Sequence, residues 1–233
     1  MGRIKWQAGT EWKKYFFELV VIVVGITISF MLQNWQEARK SRQEEVLMLE
    51  RIHSDLAEDT LAMRAEIKVL ENIVRYGENL LRSTQIEDMA DSLNIFLGYQ
   101  LQYSVFTKTD IGYQSMGQGR SAQLISNRPL LNKIIRLYAL RYKELEEYGD
   151  VDKTFMLGEF IPYFNMQFPY VANFNFEAYS AARFNAYLQA DAFKNLLRAN
   201  VLLKRQGVVR YEAAIEVIAG LMADIEQEIA ALR

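Results

Sequence analysis

A chain of 233 residues with no cysteine, one histidine and a formal net charge of −2 leaves out several functions at once. Disulfides, thiolate catalysis and zinc–thiolate sites need cysteines that are missing, and neither the charge balance nor any Lys/Arg-rich run offers a field for nucleic acid. With 51% hydrophobic residues and only three prolines, Pro129, Pro162 and Pro169, long stretches are free to be helical, and the expected class is all-α.

Residues 1–14 form a tail carrying Arg3, Lys5, Lys13 and Lys14 around Trp6 and Trp12. Tryptophan at headgroup depth with lysine beside it is the pattern of an interfacial anchor. Residues 15–35 follow as "YFFELVVIVVGITISFMLQNW", and a bilayer core needs about 20 mainly apolar residues as helix. The stretch is followed by Gln33, Asn34, Trp35 and Gln36, which offers no small-residue cleavage site for a signal peptidase. It is too long and too evenly apolar for an ordinary core helix, and the chain has no lipidation signal. Trp35 marks the second interface, and Arg39, Lys40 and Arg42 lie beyond it. The short basic tail before a single span places the N-terminus inside and the bulk of the chain outside the cytoplasm.

One residue in the span needs a reason. Glu18 lies one turn in, and Glu18, Ile22, Gly25, Ser29 and Gln33 share one helical stripe. Gly25 and Ser29 make a small-xxx-small pair that lets another backbone approach closely. A carboxylate facing lipid costs roughly 2.5–3.5 kcal/mol at the midplane and less near an end. A tolerated interfacial glutamate is one account; a polar seam facing another transmembrane helix is the preferred one.

Residues 36–84 read as a long amphipathic helix with apolar positions at Leu49, Ile52, Leu56, Met63, Ile67, Leu70, Val74 and Leu81. If Thr60 holds the seam between Leu56 and Met63, two steps of four follow one another, a stutter. Residues 85–233 are expected to form a helical bundle domain. A shorter helix covers roughly 86–103, with a turn or two over 109–116 and a loop at "GQGRS", 117–121. Asn127 as cap and Pro129 in the first turn open the next helix, whose wide apolar face suits burial between neighbours. Residues 190–204 are helical, Gly207 is expected to break the chain, and a terminal helix follows with Tyr211, Ile215, Ile218, Met222, Ile225, Ile229 and Leu232 on its seam. The whole is an elongated antiparallel bundle with a long coiled-coil-like helix, carried on one transmembrane helix.

The segment "KKYFFELVVIVVGITISFMLQNWQEARKSRQEEVLMLERIHSDLAED" resembles the start of an uncharacterised bacterial single-pass membrane-protein family, with its aromatic-Glu-Leu-Val-Val-x-x-Gly-Ile span, Asn-Trp exit and charged helix. "GYQSMGQGRSAQLISNRPLLNKIIRLY" is similar to a later part of that family. The resemblance implies a location, the bacterial inner membrane, and an architecture; it implies no reaction.

Catalytic constellations are lacking. His53 stands between Ile52 and Ser54 with Asp55 next, but consecutive helical residues do not face one another, so an exposed surface histidine is expected. Glu144, Glu146, Glu147, Asp150 and Asp152 lack the spacing of a calcium loop and read as a solvated face. The aromatic segment with Phe160, Tyr163, Phe164, Phe168, Tyr170, Phe174 and Phe176 has two readings, a plug for the end of the bundle and a partner-contact surface. The sequence therefore leads to a non-catalytic, membrane-anchored scaffold or accessory subunit, without cofactor or metal. It would assemble with other membrane proteins or with copies of itself; an extracytoplasmic ligand sensor working through a partner is the alternative.

Overall fold

α1 (Ala8–Arg82) is one helix of 75 residues, about 110 Å long at 1.5 Å per residue. The computed structural model describes residues 8–83, 93–117, 124–167 and 181–233, and there is no strand among the described residues. After α1 come α2 (Leu93–Gln100), α3 (Ile111–Gly117), α4 (Arg128–Arg136), α5 (Tyr142–Phe155), α6 (Ile161–Gln167), α7 (Ala181–Gln189) and α8 (Asp191–Leu232). The π-turns Leu137–Arg141 and Met156–Phe160 join α4, α5 and α6 through helical backbone, making one rod over 128–167. Each such turn slips an extra residue into the helix. The rod's inward face, through Tyr138, Tyr142, Leu145, Tyr148 and Asp152, thereby stays on the bundle axis.

The rod starts where the sequence says it should. The Asn127 side chain accepts the backbone N–H of Leu130, and Pro129 occupies the first turn, where its missing N–H costs nothing. Pairings along the rods set their directions. Glu45 meets Ser126 near one end of the bundle, Asp59 meets Tyr142 midway, and Asp152 meets Lys204 further along. α1 and the 128–167 rod therefore run the same way, away from the apolar stretch, and α8 returns antiparallel to both. Between α1 and α5 the chain 102–110 descends without helix, taking the place of a fourth rod.

The main core holds Leu49, Ile52, Leu56, Met63, Leu70 and Ile73 of α1 against Tyr211, Ala214, Ile218, Leu221 and Ile225 of α8, with the 128–167 rod closing the third side. Burying each large apolar side chain contributes about 1.5–3 kcal/mol. Two expectations change here. Asp59, 1% exposed, holds the seam position assigned to Thr60, so the seam steps regularly from Leu56 to Asp59 to Met63 and no stutter exists. Thr60 instead returns its hydroxyl to the Leu56 carbonyl. Further along, the buried positions are Ile73 and Leu80 rather than the expected Val74 and Leu81, because without a stutter the seam keeps its seven-residue step from Ile52 and Asp59.

Gly207 does not break the last helix, because α8 runs 42 residues straight through it. A Cβ at Gly207 would collide with the hydroxyl and ring of Tyr148 on α5. The glycine is there for close approach, not for a turn. A smaller second core lies beyond, where Met156, Phe160 and Phe164 pack with Leu80, Leu97, Leu188, Phe193 and Leu197.

Candidate functional site

Two features stand apart from ordinary packing: a bare apolar helix, and a line of buried carboxylates in the bundle beside it. From Lys14 to Glu44 every residue of α1 is exposed, and none is buried by the described residues. The most apolar 18 residues there have a mean hydropathy of 2.3 and no buried member. α1 is regular through this stretch, so Glu18, Ile22, Gly25, Ser29 and Gln33 fall on one face, and a Cβ at Gly25 would meet nothing within 4 Å. Ser29 donates its hydroxyl to the Gly25 carbonyl at 2.9 Å and Thr27 does the same to Val23 at 2.8 Å, so both hydroxyls are satisfied inside the helix. Gln33 donates to Glu37 at 3.3 Å. Trp12 stacks on Phe16, and the Arg39 guanidinium lies 5.7 Å from the Trp35 ring. Trp6 lies outside the described residues.

The carboxylates explain how an irregular segment is held inside a helical bundle. Extended backbone crossing a core must find partners for its N–H groups. Asp59 accepts the N–H of Thr109 at 2.7 Å, Asp55 that of Gly112 at 2.7 Å, Asp152 that of Ser104 at 2.7 Å, and Glu45 that of Ser126 at 2.6 Å. Asp59 also takes the Tyr142 hydroxyl at 2.6 Å. One level up, Lys204 donates to Asp152 at 2.5 Å with both side chains fully buried, and the Ser104 hydroxyl meets that of Tyr211 at 2.9 Å. Gln100 donates to the Ile73 carbonyl and receives Asn200. Among the described residues, the Tyr148 hydroxyl and the Asn200 side-chain oxygen are buried with no partner.

Electrostatics follow from burial. Desolvation raises the carboxyl of Asp59 above its usual range, against the pull of Tyr142 and Thr109, and raises Glu66 likewise against Ser104 and Lys204. Burial lowers the Lys204 ammonium, with Asp152 opposing. It pushes the Tyr211 hydroxyl up to about 12, and Tyr142 further, helped by its bond to Asp59. Asp59, Asp55, Asp152 and Glu45 each accept a backbone N–H, so the line holds the chain at Ser104, Thr109, Gly112 and Ser126.

The remaining sequence candidates distribute as follows. Phe160 and Phe164 are 1% and 0% exposed, so these two are core side chains and the partner-surface expectation is corrected for them. Tyr163 packs half-buried against the same cluster. Phe168, Tyr170, Phe174 and Phe176 lie outside the described residues. His53 is half-buried rather than exposed and bonds to Glu226 of α8 at 2.9 Å. Asp152, taken with the solvated acids, is the fully buried partner of Lys204. Its spacing gave a signal, because it falls four residues after Tyr148 and four before Met156 on the rod's apolar face. No three or more His, Cys, Asp or Glu side chains among the described residues are grouped to hold a metal ion.

These features define an all-helical protein with one N-terminal helix long and apolar enough to cross a membrane, continuous with a bundle pinned by buried carboxylates. The chain belongs to the family described as "Family of unknown function (DUF6090)", whose model matches residues 18–156. The match runs from Glu18 through the apolar stretch, the carboxylate-bearing half of α1 and α5. No curated protein and no solved structure matches the chain.

Proposed function

We propose that this protein is a single-pass, membrane-anchored accessory subunit or scaffold, non-catalytic, that assembles with other membrane proteins or with copies of itself. The observation that carries the reading is the continuity of α1. The same helix that leaves its apolar stretch bare from end to end enters the bundle core at Glu45 without a break. A bundle mounted on such a rod is held at fixed height and angle to the bilayer, which suits presenting a surface to a neighbour. In this reading the span lies in a bacterial inner membrane, with Trp12 and Trp35 at the two interfaces. The basic N-terminal tail stays on the cytoplasmic side and the bundle is periplasmic. Glu18, Gly25 and Ser29 form the contact face within the bilayer, where small residues let a second helix approach.

The test is quantitative purification of the full chain from native membranes, with Val21→Leu and Gly25→Leu variants at equal abundance. A stoichiometric membrane-protein companion, or a multiple of the chain's own mass, is expected for wild type and Val21→Leu and should be lost in Gly25→Leu. A monomer in every case, carrying a bound small molecule or turning over a substrate, would overturn the accessory reading. Protease added to intact spheroplasts should remove the bundle; complete protection would reverse the orientation.

A further inference from the structure

The groove between α4 and α8 has walls of opposite charge around an apolar floor, about 630 Å³ in volume. Leu140, 55% exposed, and Val217, 41% exposed, form the floor, and a Cβ at Gly220 would meet nothing within 4 Å. The 128–167 wall carries Lys133, Arg136 and Arg141 with one acid, Glu144, which pairs with Arg141 at 2.9 Å, and stays net positive; the α8 wall carries Glu216 and Asp224. Lys133 reaches Asp224 across the groove at 2.5 Å, which fixes the antiparallel register and sets Leu140 near the height of Val217 and Arg141 near that of Glu216. Among the described residues, Arg136 and Glu216 have no ion-pair partner. Leu202 and Val209, both more than half exposed, continue the Val217 stripe up α8 at helical spacing.

We infer that this groove is the docking face for a second copy of this chain, related to the first by a two-fold axis along the membrane normal. The inference deepens the assembly reading above and rests on α1 as the anchor. Two copies inserted in one membrane with the same topology can be related by a two-fold axis only along the normal. An axis in that direction, standing in front of the groove, sets the 128–167 wall of each copy against the α8 wall of the other at unchanged height. The contact is isologous, so each pairing occurs twice. Arg136 of one copy then serves Glu216 of its partner and reciprocally, while Leu140 meets Val217 over the opening at Gly220. A foreign helix of arbitrary charge has no such built-in match; a copy carries it by construction.

The chain has no cysteine, so engineered cysteines report without background. Two differently tagged full-length chains, one Leu140→Cys and the other Val217→Cys, are co-expressed in membranes and oxidised. A cross-linked species carrying both tags is expected. It should be lost when both chains also carry Glu216→Arg, and recovered when both carry Glu216→Arg with Arg136→Glu, which reverses the pair. Leu61→Cys, at an exposed position on α1, paired with Val217→Cys is the collision control. No two-tag species, or one equal to the control, overturns the inference, as does a cross-link indifferent to the charge reversal. A photoreactive residue in place of Leu140 that yields an adduct of another mass means a different protein covers the groove. That result sinks the second-copy inference while leaving the accessory reading to stand on its stoichiometric companion.

Discussion

Gly207→Ala is a substitution whose sign separates local propensity from tertiary packing. In the interior of a 42-residue helix, replacing glycine by alanine ordinarily stabilises by about 1 kcal/mol. Here the added methyl would meet the hydroxyl and ring of Tyr148, with Cε1 at 2.9 Å. Tyr148 is only 4% exposed and packs edge-on against Tyr211 with ring centroids 6.2 Å apart, so it cannot swing aside cheaply. Overpacking of this kind costs about 1–3 kcal/mol, and contact with an aromatic ring locked between two rods belongs at the upper end. Subtracting the propensity gain leaves a net loss of about 2 kcal/mol. Denaturant unfolding of the full chain in detergent, followed by far-UV circular dichroism, measures it. Tyr148→Phe provides the internal check: its hydroxyl has no partner among the described residues, so removing it should be neutral or stabilise by up to about 1 kcal/mol. It should also recover part of the Gly207→Ala loss in the double variant. If Gly207→Ala stabilises the protein, the close approach of α5 and α8 is wrong.

Asp152→Leu should destabilise by about 3–5 kcal/mol, because it leaves Lys204 charged and buried without its partner. Asp152→Leu combined with Lys204→Met should recover most of that loss, short of the cost of the Ser104 N–H, in the same unfolding assay; equal losses in both would deny the pair. Ile218→Asp puts a charge at a fully buried seam position and should cost about 4 kcal/mol or more; an unchanged melt would mean that α8 does not pack on α1. Glu66 titrates above the ordinary 4.5 because it is desolvated, so the folded state binds its proton more tightly than the unfolded chain. Its contribution is therefore fullest below pH 4.5 and declines as the pH rises through the folded value. Glu66→Gln should flatten the decline that sets in above pH 4.5; a pH dependence of unfolding parallel to wild type on that side would refute it.

Some of this molecule is decided by residues near one another in the chain. The apolar stretch follows from contiguous composition alone, since transfer to hydrocarbon needs no partner from elsewhere. The start of α4 follows from Asn127 and Pro129, whose effect is confined to one turn, and the α1 and α8 seams follow from repeated spacing. What the sequence could not decide is which polar residues go inside. Asp59 accepts its backbone N–H from Thr109, 50 positions away, and Lys204 finds Asp152 at a separation of 52. A carboxylate or ammonium enters a core only where such a donor or acceptor meets it. Read singly, Asp59 yields the seam to Thr60, and Asp152 belongs with the solvated acids. Gly207 taught the same lesson in reverse, since in isolation it weakens a helix and only the position of Tyr148 makes its missing side chain a requirement. Phe160 and Phe164 gave no local sign of which way they face, and only the meeting of α5, α6 and α8 turned them inward. Local physics fixed the elements and the anchor; contacts between residues far apart in the chain chose the interior, because burial of a polar group is a property of a pair.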